Sequence, residues 1–496
     1  MNMPEFIVNI IKKIEASGFE IFVVGGAVRD LLMGNDVKDW DLTTNARPDQ
    51  ILSIFPVAKY ENAFGTVIIP VKNENNKMLA VVEVTTYRSE QGYSDRRHPD
   101  EVVFENYIEN DLARRDFTVN ALAMQIPGSG FKLADSLASF IIVFEQGKII
   151  DLFGGVKDIK KRVVRAVGEP TDRFREDSLR MMRAIRFAAQ LGFEIEPKTE
   201  RAIGKLAGGI KFVAKERIRD ELIKILSSNH SYEGMKKLFD VKLMQYILSE
   251  VVDGFGVAQN KHHIYTIFDH NMLALKNCPN ADWRVRLAAL LHDVGKIKTK
   301  KLIDGEFTFY NHEYVGARMT ERIMARLKFS QEDSARVVNL VRNHMFYYNN
   351  DEVAAASVRR LIAKVGRENL RDLIDLRIAD RLGSGVPKAR PYKLRHLEYM
   401  FERVQNDPVS VKDLKINGTE LMQSLSIPPS PKIGQILDCL LAAVLENPEL
   451  NVKEKLLANA KELNSMSLED LRKKAKEVIM EKRREEDLTL KRDFKV

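Results

Sequence analysis

The sequence predicts a small mixed α/β domain followed by a long, mostly α-helical body. Its 496 residues are too many for a single hydrophobic core, so we expect several domains. Short apolar runs typical of strands lie at residues 21–24, 66–70, 80–86 and 139–144. Beyond residue 155, apolar residues recur with helical spacing and strand patterns almost vanish. We therefore divide the chain into four regions, namely an α/β head over 1–150 and helical regions over 151–235, 236–388 and 389–496.

The composition limits the class of protein and its partners. Hydrophobic residues make up 45% of the chain and charged residues 30%, which is typical of globular proteins. The net charge of +8 favours a polyanionic partner that binds a local basic surface. The two distant cysteines, Cys278 and Cys439, have no metal or redox spacing, and no apolar run reaches the ~18 residues of a membrane span. We expect a cytoplasmic protein that contacts no membrane and shows no sign of an obligate protein partner.

The segment Gly25–Thr44, GGAVRDLLMGNDVKDWDLTT, begins with a pattern suited to binding phosphate. Gly25 and Gly26 permit a tight turn that brings backbone N–H groups close to an anion. Arg29 adds a fixed positive charge at the start of the helix that follows. No Gly-Lys-Ser/Thr follows, so this is not a P-loop, and the glycine spacing does not match a dinucleotide-binding fingerprint.

The same segment ends with two carboxylates, Asp39 and Asp41, that are two residues apart. In an extended segment both side chains face the same side, while Trp40 faces the other. Adjacent carboxylates repel unless a cation lies between them, and Mg²⁺ is the divalent ion that best suits oxygen ligands. An isolated Asp-x-Asp is more often a solvated acidic turn. Beside a phosphate-binding turn, however, the pair predicts a site for phosphoryl or nucleotidyl transfer.

Together the two patterns resemble the head of the nucleotidyltransferase superfamily that includes bacterial tRNA CCA-adding enzymes and poly(A) polymerases. The resemblance depends on Gly-Gly-x-Val-Arg-Asp followed by Asp-x-Asp-Leu-x-Thr. It implies a nucleotidyltransferase-type head in which Asp39 and Asp41 are catalytic and bind Mg²⁺. It also implies that Gly25, Gly26 and Arg29 bind the nucleotide.

Three further segments of the head are candidates for the same site. Glu83 interrupts an apolar strand, where it is either a third catalytic carboxylate or a surface-facing side chain. Residues 111–124, DLARRDFTVNALAM, resemble the family's Arg-Arg-Asp-Phe-Thr-x-Asn-Ala motif, which implies that Arg115 and Asp116 bind the nucleotide. Residues 87–99 form a polar stretch with three arginines and resemble the flexible loop that the family links to the final A addition.

Residues 176–191, EDSLRMMRAIRFAAQL, predict one helix on which Asp177, Arg180, Arg183 and Arg186 recur every three residues. The spacing resembles the family's Glu-Asp-x-x-Arg motif, which implies that these side chains bind and select the nucleotide. An aspartate accepts a hydrogen bond from an exocyclic amino group, and an arginine donates to a ring nitrogen. Cytosine and adenine offer that pair of groups, whereas guanine and uracil do not. The alternative is a helix face of solvated ion pairs.

A second set of metal-binding residue types lies in the middle of the chain. Its six members are His270, His292, Asp293, His312, His344 and Asp380. The order His…His-Asp…Asp resembles the HD superfamily of metal-dependent phosphohydrolases, which implies an all-α HD domain. By this resemblance, His270, His292, Asp293 and Asp380 hold a divalent metal of unknown identity. The other two histidines match the extra positions of two-metal members, in which bound ions activate water.

The main functional hypothesis is template-independent addition of CCA to tRNA 3′ ends from CTP and ATP, with release of pyrophosphate. An additional HD phosphohydrolase activity on RNA ends is a second hypothesis. The alternatives are a poly(A) polymerase, an enzyme that adds only part of CCA, and an HD hydrolase whose head only binds RNA. Residues 87–99 and the HD residues favour CCA addition, and the mixed charge of residues 467–496 differs from the strongly basic tails of the polymerases.

Overall fold

The computed structural model of the chain describes residues 3–62, 65–73, 75–92, 101–127, 129, 135–144, 147–259, 264–346, 355–385, 390, 392–404 and 410–474. The chain divides into two compact units. The first unit comprises residues 1–252 with 326–329, and the second comprises residues 253–325 with 330–496. No helix among the described residues is long and apolar enough to cross a membrane.

The first unit contains the mixed sheet that the sequence predicts. In chain order its strands are β1 Ile21–Val24, β2 Asp41–Thr44, β3 Lys59–Asn62, β4 Thr66–Lys72, β5 Met78–Thr86, β6 Arg88–Gln91, β7 Glu101–Phe104, β8 Ala123–Gln125, β9 Ile141–Phe144, β10 Gly147–Ile150, β11 Val163–Val164 and β12 Glu194–Ile195. Eight of them form one sheet in the order β3-β4-β5-β2-β1-β8-β10-β9, while β6 pairs with β7 and β11 with β12. The four predicted strands are present, although the last begins at Ile141 because residues 135–140 form a 3₁₀ turn.

The pairing of three central strands explains why distant motifs meet at one edge of this sheet. β1 runs antiparallel to β2, with Val23 opposite Leu42, so Gly25 follows β1 where Asp41 begins β2. β2 runs parallel to β5, and Asp41 lies opposite Glu83. The glycine turn and two of the predicted carboxylates are therefore neighbours through backbone pairing alone.

Twelve helices of the described residues belong to the first unit. They are α1 Glu5–Ala16, α2 Gly26–Leu32, α3 Pro48–Ile54, α4 Ile108–Ala113, α5 Gly155–Lys161, α6 Pro170–Glu176, α7 Leu179–Leu191, α8 Pro197–Leu206, α9 Lys215–Leu226, α10 Ser231–Asp240, α11 Met244–Ile247 and α12 Ser249–Val252. The single helix predicted over 176–191 is wrong, because the chain is extended at Asp177 (φ −137°, ψ 108°). The Asp177 carboxylate accepts the Leu179 N–H at 2.9 Å, and this local bond competes with a continuous helix.

The second unit is almost entirely helical, as the sequence predicts. Its helices are α13 Ile267–Lys276, α14 Trp283–Leu291, α15 Lys296–Thr299, α16 His312–Arg326, α17 Gln331–Asn343, α18 Ala355–Val365, α19 Leu370–Gly383, α20 Tyr392–Val404, α21 Gly418–Leu425, α22 Pro431–Glu446 and α23 Lys453–Asn464. One short hairpin, β13 Lys301–Ile303 with β14 Glu306–Thr308, interrupts them. The last three helices enclose an apolar core of their own around Leu421, Leu440 and Leu456.

Candidate active site

A polar cavity of about 810 Å³ in the first unit collects the residues that the head motifs predict. Twelve residues of the head and of the 151–235 region are predicted for this site, and eleven of them line the cavity; the exception is Glu83. Its described lining carries nine arginine or lysine side chains and six aspartates. The excess of positive charge favours binding of a polyphosphate. The aspartate oxygens are ligands of the type that divalent ions prefer.

The glycine turn forms one corner of this cavity. Gly25 has a φ of +71°, and a Cβ atom there would lie 2.9 Å from Nη1 of Arg115 and 3.7 Å from Oδ2 of Asp41. The turn therefore needs glycine both for its backbone conformation and for the close approach of these two side chains. Arg29, four residues on, donates from Nη1 to Oδ1 of Asn120 at 2.7 Å, which fixes its guanidinium in the cavity wall.

The carboxylates at this corner differ in their surroundings. Asp41 begins β2 and is half-buried, and burial together with the charge of Asp39 raises its pKa, while the Arg115 guanidinium opposes that rise. Asp39 is exposed and lies in a bend before the strand, so the expectation of one extended segment holds for Asp41 but not for Asp39. Both carboxylates nevertheless line the same cavity.

Glu83 is placed less favourably than the sequence predicts for a third metal ligand. Its side chain is exposed, and partial desolvation followed by the Asp41 charge raises its pKa. Glu83, Asp41 and Asp39 do not form a group whose ligand oxygens all lie within 4.8 Å of one another. Asp39 and Asp41 remain the candidate donors for a cation in the head, and their carboxylate oxygens are the ligand type that a hard divalent ion prefers.

Arginines of α7 form ion pairs that line the middle of the cavity. Arg183 Nη2 lies 2.6 Å from Oδ2 of Asp116. Burial alone would raise the pKa of Asp116, but the Arg183 charge holds that pKa below its ordinary value. Arg186 Nε lies 3.0 Å from Oε2 of Glu221, close enough for an ion pair although the angle does not give a hydrogen bond. Both arginines are therefore held in place by carboxylates at the cavity wall.

The two predicted base-selecting residues already have partners from the protein. Arg217 donates from Nη2 to Oδ2 of Asp177 at 2.7 Å. Nη1 of Arg180 donates to Glu176 and to the backbone oxygen of Arg173. Among the described residues these contacts engage only Nη1 of Arg180, so its other N–H groups stay available as donors.

Of the polar stretch predicted over residues 87–99, residues 88–91 form strand β6, and Arg88 lines the cavity. Residues 93–100 lie outside the described part of the chain.

The second unit brings the predicted HD residues together around one buried carboxylate. Oδ2 of Asp293 lies 3.2 Å from Nε2 of His270 and 3.5 Å from Nε2 of His292. Oδ1 of the same carboxylate lies 3.3 Å from Nε2 of His312 and 3.7 Å from Nε2 of His344. Each oxygen thus faces a different histidine pair, and each trio has its ligand atoms within 4.8 Å of one another. This arrangement suits one divalent ion per trio, with Asp293 between them.

The orientation of three histidines supports a metal-binding role. Nδ1 of His292, His312 and His344 lies 2.7–2.8 Å from the backbone carbonyl of the residue three positions earlier. A carbonyl can only accept, so Nδ1 carries the proton and Nε2 keeps a lone pair directed at Asp293. Burial lowers the pKa of His344 to about 4, which keeps that imidazole neutral as a metal ligand must be.

Asp380 and Lys296 complete the charges at this centre. Oδ1 of Asp380 lies 3.3 Å from Nε2 of His270, and its Oδ2 accepts from Nη1 of Arg377 at 2.7 Å. Lys296 Nζ lies 2.6 Å from Oδ2 of Asp293. Burial lowers the pKa of His270, but hydrogen bonds to Asp293 and Asp380 outweigh it and raise that pKa to about 9. The carboxylates thus attract positive charge strongly, and they would do the same for a metal ion.

Two close backbone contacts hold the elements of this centre together. A Cβ atom on Gly295, two residues after Asp293, would lie 2.0 Å from the backbone oxygen of His312. A Cβ atom on Gly383, in α19, would lie 3.1 Å from the backbone oxygen of His270. Only glycine permits these approaches. They bring the elements that carry His270 and His312 close to the segments that carry Asp293 and Asp380.

Sequence reasoning missed several side chains that shape the two sites. Arg217, Asn120 and Phe187 line the head cavity, and Lys296 borders the HD centre. Arg217 lies on the amphipathic helix α9, and the sequence around it contains no motif that indicates a binding role. The contact between Lys296 and Asp293 was predictable from their spacing, because residues three apart lie on the same face of a helical turn.

Comparison with known proteins identifies the family. The chain matches the "Poly A polymerase head domain" over residues 21–165, the "Probable RNA and SrmB- binding site of polymerase A" over residues 192–254, and the "HD domain" over residues 262–384. It is 34% identical to the A-adding tRNA nucleotidyltransferase of Deinococcus radiodurans, with 85% of this chain and 90% of that protein covered. It is 31% identical to the CCA-adding enzyme of Ligilactobacillus salivarius, covering 92% and 95% of the two chains. The chain belongs to the tRNA nucleotidyltransferase family.

A solved structure supports the same assignment. The Bacillus stearothermophilus CCA-adding enzyme, solved in complex with CTP, aligns with a TM-score of 0.66 and 26% identity over 94% of this chain and 98% of that one. The predicted fold class, a nucleotidyltransferase-type head followed by a helical body with an HD domain, is confirmed. Nucleotidyltransferase and HD domains typically use divalent metals, and the described residues provide candidate sites for them.

Proposed function

We propose that this tRNA nucleotidyltransferase adds C and A residues to tRNA 3′ ends, using CTP and ATP with Mg²⁺ held by Asp39 and Asp41. One observation carries the proposal, namely that a single cavity collects the phosphate-binding, carboxylate and base-selecting motifs. These motifs are up to 161 residues apart in sequence, from Gly25 to Arg186. Because these motifs line one cavity, one ligand that carries both phosphates and a base explains them better than three unrelated surface functions do.

The chemistry follows from what each wall of the cavity offers. The RNA 3′-hydroxyl loses its proton to solvent, and its oxygen bonds to the α-phosphorus. The bond between that phosphorus and the α,β-bridging oxygen breaks, so pyrophosphate leaves. Arg115 and Arg29 hold the triphosphate in line for this displacement and offset its charge. A Mg²⁺ ion bound by Asp39 and Asp41 supplies Lewis-acid stabilisation when present.

Base selection is assigned to Asp177 and Arg180. Arg217 orients Asp177 by donating to both carboxylate oxygens. Oδ1 also accepts the Leu179 N–H, so Oδ2 is the oxygen that retains an acceptor site for an exocyclic amino group. Arg180 donates to the ring nitrogen beside that amino group. Guanine and uracil offer neither that amino group nor that ring-nitrogen acceptor, so they would form neither hydrogen bond with Asp177 and Arg180, and a site built on such bonds discriminates strongly against them.

The test uses two RNA substrates, tRNA that lacks all of CCA and tRNA that ends in CC. CTP and then ATP should extend the first, and ATP should extend the second. Extension of the second alone would give the A-adding activity named for the Deinococcus relative. Growth of a poly(A) tail without CTP incorporation would contradict the proposal.

Variants of the carboxylate pair make the test specific to the head. Asp41→Asn and Asp39→Asn should each reduce nucleotide addition by at least about 10³-fold, since each removes a negative ligand from the metal. Asp172→Asn is a matched control, because Asp172 is exposed and its ion pair among the described residues is with exposed Arg175. Near-normal activity in both site variants would refute the assignment.

We also propose that the HD centre hydrolyses phosphate esters at RNA ends. The observation that favours this is Asp293, whose two oxygens face two separate histidine pairs. Asp293→Asn should abolish metal-dependent hydrolysis of phosphomonoester and cyclic phosphodiester substrates and leave nucleotide addition intact, while Asp41→Asn should do the reverse. Hydrolysis that survives in Asp293→Asn would refute the proposal, and an unaffected main activity in Asp41→Asn would favour a head that only binds RNA.

A further inference from the structure

Phe187 is the one aromatic side chain among the described residues that line the head cavity. It is 8% exposed, and its ring packs edge-to-face on buried Phe117 with centroids 5.6 Å apart. None of the sequence motifs assigns Phe187 a role. Its surroundings indicate one, because three arginine side chains lie close to its ring.

The guanidinium carbons of Arg186, Arg183 and Arg29 lie 4.1, 5.5 and 5.6 Å from the centre of the Phe187 ring. A cation within about 6 Å of an aromatic ring is attracted by the negative charge density of its face. One ring therefore contacts three of the positive charges that line the cavity.

Three like charges around one ring repel each other. Burial lowers the pKa of Arg186, the Glu221 carboxylate opposes this, and the charges of Arg183 and Arg29 lower that pKa further. Each arginine has a carboxylate partner, which is Asp30 for Arg29, Asp116 for Arg183 and Glu221 for Arg186. The Asp116 charge raises the pKa of Arg183, whereas at Arg186 burial and the neighbouring arginines outweigh the carboxylates. The ring offsets more of the repulsion without adding a negative charge, which would repel phosphate.

The three arginines come from two different parts of the site. Arg29 belongs to α2, directly after the glycine turn, whereas Arg183 and Arg186 belong to α7, which begins just after Asp177. The ring thus joins the phosphate-binding element to the base-selecting helix. Movement of either element would separate at least one guanidinium from it.

We infer that Phe187 is a positioning residue that holds the Arg29, Arg183 and Arg186 guanidinium groups together for binding the triphosphate of either CTP or ATP. This inference rests on the proposed nucleotide site. It predicts an effect on triphosphate binding that is the same for both nucleotides, because the base does not take part.

The test compares Phe187→Leu, which keeps an apolar side chain without the ring face, with Phe187→Tyr, which keeps the ring. Phe187→Leu should raise the KM for CTP and for ATP by about tenfold each, the effect of losing one to two cation–ring contacts. The inhibition constant of inorganic tripolyphosphate should rise by the same factor. The change in kcat should be smaller, and Phe187→Tyr should restore both constants to within about threefold of the original protein.

Phe193→Leu is the matched control. Phe193 is 6% exposed and has the Arg162 guanidinium 5.9 Å from its ring centre, but neither residue lines the cavity. Its substitution should change the melting temperature without changing either nucleotide KM. A comparison of melting temperatures separates loss of folding from loss of the arginine cluster. If Phe187→Leu does not fold, the Phe187→Tyr variant is the test, and constants raised more than about threefold in it would contradict the inference.

Four results would overturn the inference. They are an unchanged KM in Phe187→Leu, a loss confined to kcat, equal impairment in the Leu and Tyr variants, and a raised KM with an unchanged tripolyphosphate constant. The last would mean that the ring stacks on the base. If the original protein adds neither C nor A to tRNA, the proposed function fails, and calorimetric binding of tripolyphosphate to the variants still tests the role of Phe187.

Discussion

Substitution of Gly25 by alanine tests whether the glycine turn is built around the nucleotide site. Gly25 has φ +71° and ψ −130°, a combination that side-chain-bearing residues almost never adopt. An added Cβ atom would also lie 2.9 Å from Nη1 of Arg115 and 3.7 Å from Oδ2 of Asp41. The change therefore acts on the backbone and on two proposed functional groups at once.

The two effects have different sizes. The backbone strain should cost about 1–3 kcal/mol of the free energy of unfolding. The contact with Arg115 meets the far end of a flexible side chain, so it should displace the guanidinium rather than add much strain. Loss of one charge-assisted contact to phosphate corresponds to about 1.5 kcal/mol, or roughly a tenfold rise in the KM for CTP and ATP.

The assay measures CTP incorporation into tRNA that lacks CCA, together with thermal unfolding of the same preparation. Gly18→Ala is the matched control, because Gly18 has φ +86° but no atom within 4 Å of an added Cβ. The control should lose stability and keep its nucleotide KM. Gly25→Ala should lose stability and also bind nucleotide more weakly.

One outcome would refute this reasoning directly. If Gly25→Ala loses stability like Gly18→Ala but keeps both KM and kcat within about twofold, the close approach of Arg115 does not contribute to nucleotide binding. An unchanged stability would instead show that the turn relaxes into another conformation without strain.

Three further changes test other contacts of the two sites. Because the Arg115 charge lowers the pKa of Asp41, Arg115→Met should raise that pKa and move the acidic limb of the pH–rate profile to higher pH, while Arg115→Lys should move it less. Arg217→Met removes the partner of Asp177 and should reduce discrimination between CTP and UTP by about tenfold, measured as the ratio of kcat/KM values; an unchanged ratio would contradict the assignment. In Gly295→Ala the added Cβ atom would lie 2.0 Å from the backbone oxygen of His312, so the free energy of unfolding should fall by at least about 1–3 kcal/mol. Elemental analysis should show a lower metal content in this variant, while nucleotide addition should be retained.

The strands of the head were predictable because their signal is local. Apolar, β-branched runs such as residues 80–86 indicate strands whatever lies around them. The hairpin at residues 301–308 carried a local signal too, since Asp304-Gly305 between short apolar runs favours a two-residue turn, but a helical interpretation of this region overlooked it.

The break at Asp177 shows where periodicity alone fails. The spacing of Asp177 and Arg180 is compatible with one helix, but the backbone at Asp177 is extended and its carboxylate accepts the Leu179 N–H, a local bond that competes with helix. The consequence for the site is large, because the two side chains no longer lie one turn apart on the same helix. Asp177 is held at the cavity by Arg217, which lies 40 residues away in sequence. Such a pairing leaves no pattern in a single sequence.

The pairing of charges within the cavity explains why the metal is assigned to its glycine corner. Asp30, Asp116 and Asp177 are each bound by an arginine, so their charges are used to fix cations in place. Within the described part of the chain, Asp39 and Asp41 have no such ion pair, and the pKa of Asp41 is raised rather than lowered. The Arg115 charge acts on Asp41, but burial and the Asp39 charge outweigh it, so further positive charge near this pair would be favourable. A divalent ion held by Asp39 and Asp41, as proposed above, would supply that charge.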